Sequence, residues 1–187
     1  NDFADSENIP LFDSLEDCIR EQNPDGVIIA SPNAFHLEHA SICIDAGLPV
    51  LLEKPITASL SEGLELMNLT ERTNAKVLVG HHRAHNPILK AVRDLISQGR
   101  IGRIVTMSGS AQFHKPSSYF DQGPWRKSSG GGPILINLVH EIDNIRRMVG
   151  EIVAVQAITS SSVRKFVVED TAVISFIFEN GALGSMV

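Results

Sequence analysis

The side chains best suited to chemistry come in three short clusters, each at the end of an apolar run. Ser31-Pro32-Asn33 follows "DGVIIA", Glu53-Lys54-Pro55 follows "PVLL", and His81-His82-Arg83 follows "KVLVG". Carboxylate, amine and imidazole groups handle protons or pair ions, and charge at the end of a buried strand is costly unless it is used. Any one cluster alone reads equally well as a polar strand-to-helix turn. Three in successive units point instead to one crevice, because ligands of an open parallel sheet sit outside the carboxyl ends of its strands. A fourth candidate, His140, lies in "ILINLVHEIDNIRRMVG". Asp143, three residues on, shares its helix face and could orient it. With Ile136, Val139 and Ile142 apolar, the same pattern also fits a core histidine bonded to a backbone carbonyl.

Other chemistries find less support. His36, His39, His81, His82, His85 and His140 are many, yet no Cys pair or His-Glu-x-x-His accompanies them, so no metal site is expected. There is no Gly-x-Ser-x-Gly elbow for serine hydrolysis and no P-loop. The net charge of −6 argues against nucleic acid or an anionic membrane as partner. No apolar run approaches the roughly 20 residues of a membrane span, and nothing at the N-terminus reads as a signal peptide. The two cysteines, Cys18 and Cys43, fit buried thiols in a reducing cytoplasm. The chain of 187 residues opens without Met and stops inside a strand-like run, so it is expected to be an internal piece of a longer protein.

The elements that must position these groups alternate. "DSLEDCIRE" predicts a short helix capped by Asp13 or Ser14. Val27 to Ala30 reads as a strand covered on both faces, and "AFHLEHASICIDAG" as a helix closed by Gly47. The unit then repeats. Val50 to Leu52 is a strand, Thr57 or Ser59 a cap, Leu60 to Asn74 a helix and Lys76 to Gly80 a third strand. Such alternation indicates right-handed βαβ crossovers and a parallel sheet. Beyond Gly80 the character changes. "NPILKAVRDLISQGRIG" predicts a helix, Arg103 to His114 a half-exposed antiparallel strand, and Ile134 to Val149 an amphipathic helix after a long polar loop. Strands follow at Ile152–Thr159, Thr171–Phe178 and from Ala182, the last two joined by a turn at Asn180-Gly181. The boundary falls between Gly80 and Gly102, and we draw the domains as 1–84 and 85–187.

"VIIASPNAFHLEHASICIDAGLPVLLEKP" resembles the second half of the nucleotide domain of the glucose-fructose oxidoreductase / inositol dehydrogenase / MocA (Gfo/Idh/MocA) family. "GGGPILINLVHEIDNIRRMVG" resembles that family's Gly-rich loop and its helix with His-x-x-Asp, and "VEDTAVISFIFENGALGSMV" the first strands of its substrate-domain sheet. The resemblance implies an α/β Rossmann-type parallel sheet whose N-terminal part is missing. An α+β domain with a mostly antiparallel sheet follows, its C-terminal part missing. It implies an enzyme, an NAD- or NADP-dependent dehydrogenase exchanging hydride with a sugar, polyol or related hydroxyl or carbonyl compound.

By motif, Lys54 would be the active-site lysine and His140 the acid/base histidine. Ser31, Pro32, Asn33, His36, Glu53, Lys54 and Pro55 would lie along the cofactor, joined by Trp125 and Arg126, and His82, Arg83, Asn137 and Asp143 would face substrate. The resemblance also implies a cis Lys54-Pro55 bond, which proline makes accessible. Hydride removal from a secondary alcohol requires loss of its hydroxyl proton, so a base must stand within hydrogen-bond reach. A lysine partly desolvated beside the positive nicotinamide ring exchanges a proton more readily, and histidine can relay it.

Three departures stand out. Most relatives carry an acidic residue where Ile136 stands, and Gly-Phe-Asn-Arg-Arg where this chain has Gly80-His81-His82-Arg83-Ala84. The Gly-x-Gly-x-x-Gly turn that puts a pyrophosphate on a helix N-terminus is not in this chain, so NAD and NADP are not distinguished. Gly130-Gly131-Gly132 follows a polar loop and is expected to permit a tight turn or close backbone approach. The rival readings are a non-catalytic, sugar-responsive binding or regulatory protein and a lyase or hydrolase that uses NAD transiently. The family's sheet often packs on a second subunit, which implies a homo-dimer or homo-tetramer.

Overall fold

The computed structural model describes residues 2–187, which form two compact units divided between Gly80 and His81. The break falls four residues before the boundary read from the sequence. The first unit runs α1 (Asp2–Glu7), α2 (Leu15–Gln22), β1 (Val27–Ile29), α3 (His36–Asp45), β2 (Val50–Leu52), α4 (Leu60–Thr73) and β3 (Val77–Val79). Its three strands are parallel in the order β1-β2-β3, with Ile28, Leu51 and Leu78 in one cross-strand row. The helix ends follow the residues that favour them. The Ser14 hydroxyl accepts from Asp17 N at 3.1 Å. Ser59 and Glu62 make a reciprocal capping box.

The strands are not covered on both faces, as the sequence suggested. Ile29, Val50 and Leu52 are buried with Ala40, Cys43, Ile44 and Leu66, whereas Ile28 and Leu78 are 71% and 72% exposed. Consecutive right-handed crossovers in one direction put α3 and α4 on the same side of the sheet. The Ile28–Leu51–Leu78 row therefore faces away from them.

The second unit comprises α5 (Pro87–Ser97), β4 (Thr106–Gly109), α6 (Ser117–Asp121), α7 (Val139–Val149), β5 (Ile152–Ser160), β6 (Thr171–Phe178) and β7 (Leu183–Met186). Its sheet has the order β4-β7-β6-β5, antiparallel except for β4 against β7. The expected antiparallel strand over Arg103–His114 is thus shorter and runs parallel to its partner. Between β4 and β7 the chain passes through α6, α7, β5 and β6, an excursion long enough for the parallel pairing that a tight hairpin cannot make. Phe176, Phe178, Ile174 and Met186 pack with Leu138 and Ile145 from the helix above. At the β6–β7 turn Gly181 takes φ +81. Among the described residues, no helix is long and apolar enough to cross a membrane.

Candidate functional site

Two of the three clusters lie in the first unit, at the carboxyl ends of neighbouring parallel strands. Glu53 N donates to Ile29 O at 2.9 Å and Gly80 N to Leu52 O at 2.7 Å, so the strand ends lie side by side. Beyond β1, Ser31 Oγ meets His39 Nδ1 at 3.0 Å, and Phe35 stacks on the His39 ring. Pro32 O accepts from Phe35 N, which closes a tight turn opening α3, and Asn33 is buried inside that turn. Beyond β2, Lys54 and Glu53 are half-buried and Pro55 is buried. The Lys54–Pro55 bond is cis, and Glu53 Oε2 accepts from Lys54 N at 3.2 Å.

His36 joins these two loops. It is 1% exposed, with Nδ1 2.8 Å from Pro55 O and Nε2 2.9 Å from Ser31 O. The ring thus spans the gap between the two loops, with a backbone carbonyl at hydrogen-bond distance from each nitrogen. The sequence motif places His36 along the cofactor; the structure places its ring between the two loops assigned to the same cofactor.

The third cluster follows β3 in the chain but belongs to the second unit. There the His82 ring meets the His140 ring edge-on at 4.8 Å between centroids, and His81 does so at 6.1 Å. His140 is 4% exposed. Arg83 pairs with Glu141, the residue after His140. The helix carrying these groups begins with a π-helical turn, Ile134–Leu138, before α7. Such turns rotate the following side chains relative to a regular helix and recur at functional sites. Asn137 on that turn lines a cavity of about 550 Å³ with Arg83, Lys115, Glu141 and Glu169.

The other residues singled out from the sequence have contacts of their own. Ile136 is buried and belongs to the packing. Asp143 Oδ2 accepts from Arg147 Nε at 2.8 Å, a bond that raises the Arg147 guanidinium above its ordinary value, so its carboxylate serves that pair. The Arg126 guanidinium lies 4.1 Å from the centre of the Tyr119 ring and donates to Tyr119 O at 2.6 Å, which fixes the Trp125-Arg126 turn from within the same unit. Among the described residues, no group of three or more His, Cys, Asp or Glu side chains could hold a metal ion.

Glu141 and Glu169 were missed by motif reasoning. A signal for Glu169 existed: "GGGPIL" opens a helix without Ser, Thr, Asp or Asn as cap, so its first N–H groups must find an acceptor from elsewhere.

The chain matches the oxidoreductase family with an NAD-binding Rossmann fold over residues 1–81 and the GFO/IDH/MocA C-terminal domain over residues 89–187. It is 30% identical over 146 residues to the rhizopine catabolism protein MocA of Rhizobium meliloti, covering 76% of this chain and 44% of that one. It is 27% identical to inositol 2-dehydrogenase of Corynebacterium glutamicum, covering 96% of this chain and 53% of that protein. Among solved structures, the WlbA dehydrogenase of Bordetella pertussis in complex with NADH and UDP-GlcNAcA superposes with a TM-score of 0.93 at 27% identity, over 99% of this chain and 54% of that one. The chain thus spans about half the length of these relatives. With both halves of the chain matched in order and each folded as those relatives fold, it belongs to the Gfo/Idh/MocA oxidoreductase family.

Proposed function

We propose that this chain carries the chemical half of a nicotinamide-dependent dehydrogenase acting on a CH–OH group of a sugar, polyol or related compound. The observation that carries the reading is the Glu53-Lys54-Pro55 end of β2, the middle strand of the parallel sheet, beside the Ser31–Asn33 turn. These residues suit one portion of a dinucleotide. The Ser31 hydroxyl and Glu53 carboxylate supply polar groups at adjacent strand ends, and Pro32 and Pro55 supply rigid backbone. Bound NAD(H) or NADP(H) supplies or takes up the hydride. Lys54 exchanges the proton of the substrate oxygen, the step without which an alcohol cannot give up hydride. His140, buried and packed by His82, is the second proton-handling group, and Asn137, His82 and Arg83 hold substrate hydroxyls. Trp125 and Arg126 as cofactor contacts rest on the family resemblance alone. The free Cys18 and Cys43 thiols accord with a cytoplasmic protein.

The test uses the full-length protein containing this chain, with myo-inositol, scyllo-inositol and 1,5-anhydro-D-fructose as probes and both nicotinamide cofactors. Lys54→Ala is expected to lower turnover about 10²–10⁴-fold while NADH or NADPH affinity stays within a few-fold. Unchanged turnover would remove Lys54 from the chemistry. Tight cofactor binding without turnover of any probe would favour the sugar-responsive binding protein.

The assembly we propose is a homo-oligomer built on the outer face of the second unit's sheet. Ile158, Val173, Ile177 and Leu183 lie exposed on that face, with Gln156 and Ser175 between them in register. No charged residue occupies the face in any of the four strands. An uncharged face with exposed Ile, Val and Leu suits a second copy of itself better than solvent. Sedimentation should show Ile177→Lys shifted to monomer, and an unchanged oligomer would place the interface elsewhere.

A further inference from the structure

The helix bearing Asn137, His140 and Glu141 starts without a cap of its own. Pro133 precedes it and no side chain of its own segment accepts a bond from its first turn, where N–H groups lack intrahelical partners. The acceptor comes from 35 residues downstream, where Glu169 Oε1 takes the Ile134 N–H at 2.8 Å. Its carboxylate also lies directly over Gly132. A Cβ built on that glycine would stand 2.6 Å from both carboxylate oxygens, closer than real carbon–oxygen contacts allow.

Glu169 is itself held. The neighbouring Asp170 accepts from Val163 N at 3.0 Å and Arg164 N at 2.8 Å, and Asp170 N donates to Ser160 O. The loop between β5 and β6 is thereby closed, and Glu169 leaves its end in a fixed direction. A carboxylate at a helix N-terminus is favoured by the helix dipole as well as by the hydrogen bond.

We infer that Glu169 is a positioning residue for the proposed reaction: through Ile134 N and the bare Cα of Gly132, it seats the π-helical turn that presents Asn137 to the cavity and His140 to the His82 ring. The inference rests on the acid/base role of His140. Glu169 acts through the helix backbone at Ile134, so its removal moves His140 rather than deleting a proton-transfer group.

The test separates seating from simple stability. In the full-length protein labelled with ¹⁵N-histidine, His140→Gln identifies the His140 ring signals. Glu169→Ala should shift and broaden those signals at fixed pH, whereas Glu169→Gln, which keeps the acceptor oxygen, should restore them. Turnover of the same polyol probes should fall about tenfold or more in Glu169→Ala, since displacement of a catalytic group by about 1 Å costs up to about 10². NADH affinity should be unchanged, and Glu169→Gln should recover most of the turnover. If Glu169→Ala lowers only the melting temperature and leaves the His140 signals in place, the positioning role is overturned. Undiminished turnover in His140→Gln would instead overturn the acid/base reading, while the ring signals would still decide what Glu169 does.

Discussion

The two units hold their reactive groups by different means. In the first, Ser31 and Glu53-Lys54-Pro55 sit on strand ends locked by backbone hydrogen bonds, with the His36 ring bridging two carbonyls 2.8 and 2.9 Å away. In the second, the rings of His81 and His82 meet His140 directly, while the Arg83–Glu141 pair and the Glu169 bond to Ile134 N hold the segments that carry these groups. Backbone-locked loops tolerate changes of side chain away from the motif. A site assembled from side chains depends on close approaches that a single methyl group disrupts.

The largest effect expected from that difference is at Gly131. A Cβ there would meet the Trp125 carbonyl oxygen and come within 2.6 Å of Arg126 Cα, and neither is the movable end of a side chain. Gly131→Ala should cost about 3 kcal/mol of stability, at the upper end of overpacking effects, read as a lowered denaturant midpoint. A midpoint within experimental error of the parent would mean that the loop yields, and the second site would then be as forgiving as the first.

The first unit's counterpart is His36→Phe. Phenylalanine cannot donate to either the Pro55 or the Ser31 carbonyl, and a buried carbonyl left without its donor costs about 1–3 kcal/mol. Cofactor affinity should weaken as the Ser31 and Pro55 loops separate, whereas His36→Gln, which keeps one donor, should lie between the two. Equal affinity in all three would show that the bridging ring is dispensable and that the strand ladder alone sets the loops.

A smaller effect comes from acid. The Arg164, Val163 and Thr171 hydrogen bonds hold the Asp170 carboxyl below its ordinary value of 3.8, the Arg164 N–H most of all, against a smaller opposing effect of burial. A carboxyl depressed on folding stabilises above the unfolded value and loses that contribution as pH falls through the folded one. Stability should therefore decline on acidification below about pH 4, and Asp170→Asn should flatten that decline at the expense of stability at neutral pH. The same slope in both proteins would remove Asp170 from the acid response.

The contrast also explains what could be read beforehand. The parallel sheet, its crossovers and the Lys54 turn follow from apolar runs and short polar links, and the His36–Pro55 contact spans only 19 residues. The second site joins residues 35 and 58 apart, as in Glu169 to Ile134 and Arg83 to Glu141, and no local period encodes such pairs. The exposed Ile28–Leu51–Leu78 row was hidden for a related reason. An apolar strand looks the same whether its helices cover one face or two.

Asp143 gives the smallest prediction and the sharpest boundary. It lies three residues beyond His140, and spacing alone makes it a candidate to orient the imidazole. The structure gives its carboxylate to Arg147 one turn onward, where the arginine side chain is 48% exposed and the aspartate side chain 15%. Partly exposed pairs contribute on the order of 1 kcal/mol or less. Asp143→Asn should therefore lower stability by no more than that, leave the His140 ring signals in place and change turnover less than about twofold. Glu169→Ala, acting from far along the chain, should exceed it on the last two counts. The reverse order would mean that neighbours on the helix, rather than the carboxylate beneath its first turn, set the histidine.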